Sequence, residues 1–161
     1  MTDYPQELQS MLDGAKVLYS KDDLEKAHNR LAEAISVDYH DKYPILLCVI
    51  NGAIVPMAHL LVKLGFHLQI DTVHASRYHG EIEGESTLTW HTKPRESLKG
   101  RHVLIFDDIL DQGLTLRGIV DYCEGEGAAS VKTAVMVDKH IQRDPKGVKL
   151  ADYTGITLEQ D

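Results

Sequence analysis

The chain is poor in cysteine, in aromatic residues and in positive charge. Its 161 residues include two cysteines, one tryptophan and two phenylalanines, and 17 Lys and Arg stand against 25 Asp and Glu, a net charge of −8. Two cysteines cannot build the disulfide framework that staples small secreted domains. Cys48 and Cys123 lie in apolar contexts and read as buried free thiols. The deficit of basic residues excludes a general nucleic-acid binder, because affinity for a phosphate backbone comes mostly from Lys and Arg. It leaves room for a small phosphorylated substrate held with a divalent cation. No run approaches the roughly 18 apolar residues of a membrane helix. The opening Met-Thr-Asp-Tyr-Pro-Gln-Glu has neither the basic region nor the apolar core of a secretory signal. A cytoplasmic protein with no membrane or nucleic-acid partner is expected. The nine histidines form no His-Glu-x-x-His and no Cys/His cluster, so no metal site is read from them.

What is present fits one domain with a real core, at 43% hydrophobic residues. Ser20-Lys-Asp-Asp23 reads as a capping box, and Leu24, Ala27, Leu31, Ala34 and Ile35 follow at helical spacing. This predicts a helix over 21–37, with a weaker one over 6–13. The apolar run 45–50 predicts a strand buried on both faces. It ends at Asn51-Gly52-Ala53, and Pro56 then falls in the first turn of a helix that Gly65 stops. Leu68, Ile70 and Val73 mark another strand. Residues 76–100 turn polar and glycine-rich, with a short strand over 87–90, and read as a long flexible hairpin. Long loops of this kind inside compact domains are usually functional. A strand over 101–108, a helix over 115–124, a strand over 131–137, a polar and basic stretch over 141–150 and a short strand over 153–158 complete the chain. The alternation of strands and helices favours an α/β fold, a mostly parallel sheet flanked by helices.

The densest signal is Val103-Leu-Ile-Phe-Asp107-Asp108-Ile-Leu-Asp111-Gln112-Gly113-Leu114-Thr115. A buried strand ends in two carboxylates, a third opens a turn, and a helix follows. Ligands of open α/β sheets sit at the carboxyl ends of strands, and helix N-termini bind phosphate. Acids beside such a cradle serve sugar hydroxyls or a metal ion, because bare carboxylates repel phosphate. Two other readings compete. One is a solvated acidic turn, weakened by the buried run before it. The other is the Asp-Asp-x-x-Asp motif of prenyl-diphosphate synthases, which needs one continuous helix. Here the preceding residues are strand-like and Gly113 breaks a helix.

The pattern of strand, two acids, two apolar residues, acid, x, Gly, x, Thr resembles the phosphoribosyl-diphosphate (PRPP) signature of the type I phosphoribosyltransferases. The order of parts, over roughly residues 15–161, is similar to the hypoxanthine-guanine phosphoribosyltransferases, most of all the short bacterial type. Ile50-Asn51-Gly52-Ala53 resembles the family's first substrate loop, Ser76-Arg77-Tyr78 its mobile loop and Asp152-Tyr153-Thr154-Gly155 its Asp-Phe-Val-Gly segment. Lys139 matches its purine-reading lysine.

The resemblance implies transfer of the 5-phosphoribosyl group from PRPP to hypoxanthine or guanine, giving IMP or GMP and diphosphate, with Mg2+. The backbone N–H groups of Asp111, Gln112, Gly113, Leu114 and Thr115, with the Thr115 hydroxyl, would cradle the 5′-phosphate. Gly113 would allow the main chain to approach closely. Asp107 and Asp108 would hold the ribose hydroxyls, directly or through Mg2+. Asp111 would be the general acid/base facing N7 of the purine, or else an Asx-turn cap of the next helix. Lys139 would donate to the 6-oxo group. Asn51 and Gly52 would contact diphosphate beside a cis peptide at Ile50–Asn51. Ser76, Arg77 and Tyr78 would belong to a lid, with His79 beside them. A homodimer or homotetramer is implied, with the helices at 21–37 and 55–64 as its expected contact.

The chain also departs from the pattern. Asn51 replaces Lys or Gly, Gln112 replaces Thr or Glu, and Leu114 replaces a basic residue or histidine. The family pattern continues past the point matching Asp161 with a purine-stacking aromatic, a magnesium-binding aspartate and a diphosphate-binding arginine. Either that base-binding segment is cut away here or the small hood is incomplete. A nucleotide-sensing regulator of the same fold is therefore the alternative to an enzyme.

Overall fold

The computed structural model describes residues 5–77 and 88–159. Tyr78 and His79 of the expected lid lie outside the described residues. Helices α1 (Gln6–Asp13) and α2 (Lys21–Tyr39) precede strand β1 (Ile45–Val49) and helix α3 (Ile54–Leu61). Strands β2 (Gln69–Arg77), β3 (Leu88–Thr92) and β4 (His102–Leu110), helix α4 (Leu114–Gly125), and strands β5 (Ser130–His140) and β6 (Tyr153–Glu159) follow. The six strands form one sheet in the order β3-β2-β1-β4-β5-β6. All neighbours are parallel except β2 and β3, an antiparallel pair in the expected hairpin region.

The period-2 geometry of a strand explains the continuous apolar run in β1. Leu46 and Cys48 face the core under α2 and α3, while Ile45, Leu47 and Val49 face the one under α4. β4 divides in the same way, with Leu104 and Phe106 on one side and Val103 and Ile105 on the other. Helices thus cover both faces of the sheet. Ser20 and Asp23 form the capping box that starts α2. Cys48 and Cys123 are buried free thiols on opposite faces. Burial pushes them up to about 11 and about 12, which keeps them protonated and inert.

The sheet changes direction between β1 and β4. β1 leads to β2 on one side, and the chain then returns to place β4 on the other. The β1–β4 ladder stops at Cys48↔Phe106, whereas β4 stays paired with β5 as far as Leu110↔Asp138. A crevice opens where β1 lets go. This corrects the expectation that the strand ends at Asp108: both acids lie inside β4, on an edge freed on one side only.

Candidate active site

The crevice is a cavity of about 450 Å³. It gathers Gly52 from the β1–α3 turn, Arg77 from the end of β2, Asp107 and Asp108 from β4, and Asp111 to Thr115 from the turn into α4. These come from three segments of the chain, the last of them running unbroken from Asp107 to Leu116. Asn51 is exposed and does not line the cavity, and the peptide joining it to Ile50 is cis, as the resemblance implied. Ser76 lies outside the lining, and its hydroxyl hydrogen-bonds His91 of β3 at 2.7 Å.

Burial is the first reason that Asp107 is a reluctant acid. With the neighbouring Asp108 carboxylate added, its pKa is pushed up to about 7. Asp107 accepts the Asp108 N–H at 2.9 Å, and Asp108 accepts the Ile109 N–H at 2.8 Å. A Cβ on Gly52 would lie 2.1 Å from Oδ2 of Asp108. A glycine is required there because the acid packs on the main chain of the β1–α3 turn.

Gly113 caps α4 at φ +72°, a left-handed conformation. The close approach it permits differs from the one expected. A Cβ there would meet the backbone of Val148 at 2.3 Å, and the Val148 N–H donates to the Gly113 carbonyl at 3.0 Å. The glycine makes room for the loop after β5. The first N–H groups of α4 carry no intrahelical partner and point toward the cavity end of the helix. Arg77 donates to the Leu114 carbonyl at 3.0 Å, which ties the hairpin to this turn.

The Asp111 side chain does not cap α4, whose N-cap has no side-chain hydrogen bond. Its carboxylate instead accepts from the Lys139 ammonium at 2.9 Å. Lys139 is brought there by β5, 28 residues further along the chain.

Sequence reasoning missed the stretch after β5. The Arg143 guanidinium is buried, pairs with the buried Asp138 carboxylate and donates to the carbonyls of Leu110, Asp111, Lys139 and Lys149. The signal was Asp138, an acid at the end of an apolar strand, since buried carboxylates are almost always paired. Among the described residues no group of three or more His, Cys, Asp or Glu could hold a metal ion. No helix among them is long and apolar enough to cross a membrane.

A largely parallel α/β sheet with an acidic crevice at its switch point and a glycine turn into a helix defines a ligand-binding protein of the doubly wound class. Comparison with known families narrows this. The model of the phosphoribosyl transferase domain matches residues 14–157, and the chain belongs to the phosphoribosyltransferase family. It is 36% identical to the hypoxanthine-guanine phosphoribosyltransferase of Streptococcus pneumoniae over 149 residues, 91% of this chain and 80% of that one. It is 34% identical to the hypoxanthine-guanine-xanthine phosphoribosyltransferase of Tritrichomonas foetus, over 92% of this chain and 80% of that protein. A hypoxanthine phosphoribosyltransferase structure from Staphylococcus aureus superposes with a TM-score of 0.85 at 25% identity, covering 98% of this chain and 84% of that one.

Proposed function

We propose that the protein transfers the 5-phosphoribosyl group of PRPP to hypoxanthine or guanine, forming IMP or GMP and diphosphate. The observation that carries this reading is the Asp111–Lys139 pair at 2.9 Å, at the end of the acidic crevice. N7 and the 6-oxo group lie on one edge of such a purine. A carboxylate and an ammonium side by side offer that edge a proton acceptor and a donor. The 6-amino group of adenine would set donor against donor, so 6-oxo purines are favoured.

In the reaction the bond from C1′ to diphosphate breaks, and a purine nitrogen forms a bond to C1′. The sugar passes through an oxocarbenium-like state, so catalysis consists of alignment and charge stabilisation. Asp111 takes up the proton at N7 as general base, and Lys139 holds the 6-oxo group. The N–H groups from Asp111 to Thr115, among them those of Gln112, Gly113 and Leu114, cradle the 5′-phosphate with the Thr115 hydroxyl. Asn51 and Gly52 contact diphosphate through the main chain. Asp107 and Asp108 hold the ribose hydroxyls. Ser76, Arg77 and Tyr78 belong to a lid that excludes water.

Mg2+ fits this site. Two adjacent carboxylates, one destabilised by burial and by its neighbour, gain from a cation. Asp107 and Asp108 would hold the ion, with substrate and water oxygens supplying its other ligands. When bound, the ion neutralises charge on the leaving diphosphate.

We place the protein in the cytoplasm, a compartment that suits its two free thiols. We also propose a homodimer or homotetramer. The cleft between α2 and α3 is lined by Leu24, Val55 and Pro56, and a second copy would cover it. Light scattering is expected to return a multiple of the 18.0 kDa chain mass, and a single-chain mass contradicts the assembly.

The deciding assay incubates the chain with PRPP, Mg2+ and hypoxanthine, guanine, xanthine or adenine, and measures nucleotide formed. IMP and GMP are expected, with little AMP. PRPP binding by calorimetry without turnover on any base would favour a regulator of the same fold. Neither binding nor turnover would refute both.

A further inference from the structure

We infer that Arg143 is a positioning residue that holds Asp111 and Lys139 in register, and so joins the sugar-phosphate half of the site to the base half. The inference rests on the proposed function above. The β4–β5 ladder ends with the pair Leu110↔Asp138. Asp111 follows directly on β4 and faces Lys139 of β5, the first pair beyond the ladder. There the guanidinium replaces the missing ladder. Its Nε donates to the Asp111 carbonyl at 2.7 Å, and its Nη2 reaches the carbonyls of Leu110, at 3.2 Å, and of Lys139. Nη1 donates to the Lys149 carbonyl at 2.7 Å, which fixes the far end of the loop.

The geometry calls for arginine specifically. Four carbonyls around one side chain need a planar fork with five donors, and an ammonium is a point charge with three. The charge is neutralised by Asp138, and both side chains are only 6% exposed. The bonds to Leu110, Lys139 and Asp138 are shielded from water, while those to Asp111 and Lys149 lie nearer the surface. The same loop supports the turn at two further points. The Asp144 N–H donates to the Gln112 side chain at 3.0 Å, and Gly147 packs on the Gln112 carbonyl. Those two contacts do not run through Arg143, so the Gln112–Thr115 part of the turn keeps a support of its own when the fork is lost. The Asp111–Lys139 spacing does not.

The test is Arg143→Lys, which keeps the charge opposite Asp138 and removes the fork. A misplacement of about 1 Å in reacting groups costs on the order of 10²-fold. The turnover number with hypoxanthine is thus expected to fall about 10- to 100-fold, with a raised KM for the base. IMP affinity should fall at least about tenfold, while ribose 5-phosphate, which lacks the base, binds within about threefold of the parent. A folded Arg143→Lys protein with parental turnover and IMP affinity, whatever its urea midpoint, overturns the inference. So does an equal loss for ribose 5-phosphate and IMP. If Arg143→Lys does not fold, Asp138→Asn replaces it, keeping an acceptor for the fork but not its charge. It should lose IMP affinity selectively, and unchanged affinity overturns the inference. If the parent protein itself neither binds IMP nor makes it, the proposed function fails and this inference with it. An active parent with an indifferent Arg143→Lys sinks the inference alone.

Discussion

At the scale of single residues, Asp111 carries the sharpest expectation. Its carboxylate is half exposed and its pairing with Lys139 is a surface one, worth at most about 1 kcal/mol. Asp111→Asn should therefore leave the urea midpoint nearly unchanged. It removes the proposed proton acceptor, and positioned acid/base groups contribute about 10²–10⁴-fold. Steady-state kinetics should show a turnover loss of that order, with little change in PRPP affinity. Near-full turnover with lost stability would make Asp111 a structural residue. Asp107 makes a different prediction. Folding raises its pKa from the ordinary 3.8 to about 7, so the folded state binds more protons between those values. Its contribution to stability is complete near pH 4 and declines as pH rises to about 7. Asp107→Asn removes that decline. Relative to the parent, the variant should gain about 1–4 kcal/mol of stability between pH 4 and pH 8, read from urea midpoints, while losing PRPP affinity. An equal offset at both pH values would refute this account of the buried acid.

At the scale of elements, the turn into α4 is built by two glycines back to back. A Cβ on Gly147 would lie 2.1 Å from the Gln112 carbonyl oxygen, a backbone atom that cannot swing aside. Gly147→Ala should displace the phosphate cradle, cost about 1–3 kcal/mol in stability as overpacking does, and weaken PRPP binding. Calorimetry with PRPP checks it, and parental affinity would show that the loop yields instead. Most elements were legible in the sequence. The capping box started α2, the 6–13 helix was found, and the apolar run of β1 was buried on both faces. β4 was drawn two residues short, because its end is set by pairing with β5, a partner 28 residues away at Leu110↔Asp138. The hairpin's seat was not legible either. Trp90 packs at a tilt against Tyr122 of α4, 4.8 Å between centroids, and Leu88 packs on Gly118. Nothing in the periodicity of either segment names the other.

At the scale of the whole molecule, an acidic chain must bind an anionic substrate. With net charge −8, the proposed cradle would rely on backbone N–H groups, and a cation would have to arrive with the substrate. EDTA should therefore abolish turnover and weaken PRPP binding, yet leave the melting temperature of the free protein unmoved. A fall in melting temperature on chelation would indicate a structural ion, for which no cluster of three ligands exists among the described residues. The sequence by itself determined the strand–helix alternation, the two-faced core strands, the three acids and the glycine turn. All are local: periodicity, capping and motif spacing act within a few residues, whereas Lys139 was marked by the family resemblance. Only the tertiary structure decided where β1 releases β4 to open the crevice, that Gly113 yields to Val148 rather than to a ligand, and that Arg143 is buried. An arginine in a polar stretch is ordinarily solvated. Asp138 and the carbonyls that gather around this one come from separate segments, so its burial is decided by how the chain folds back on itself.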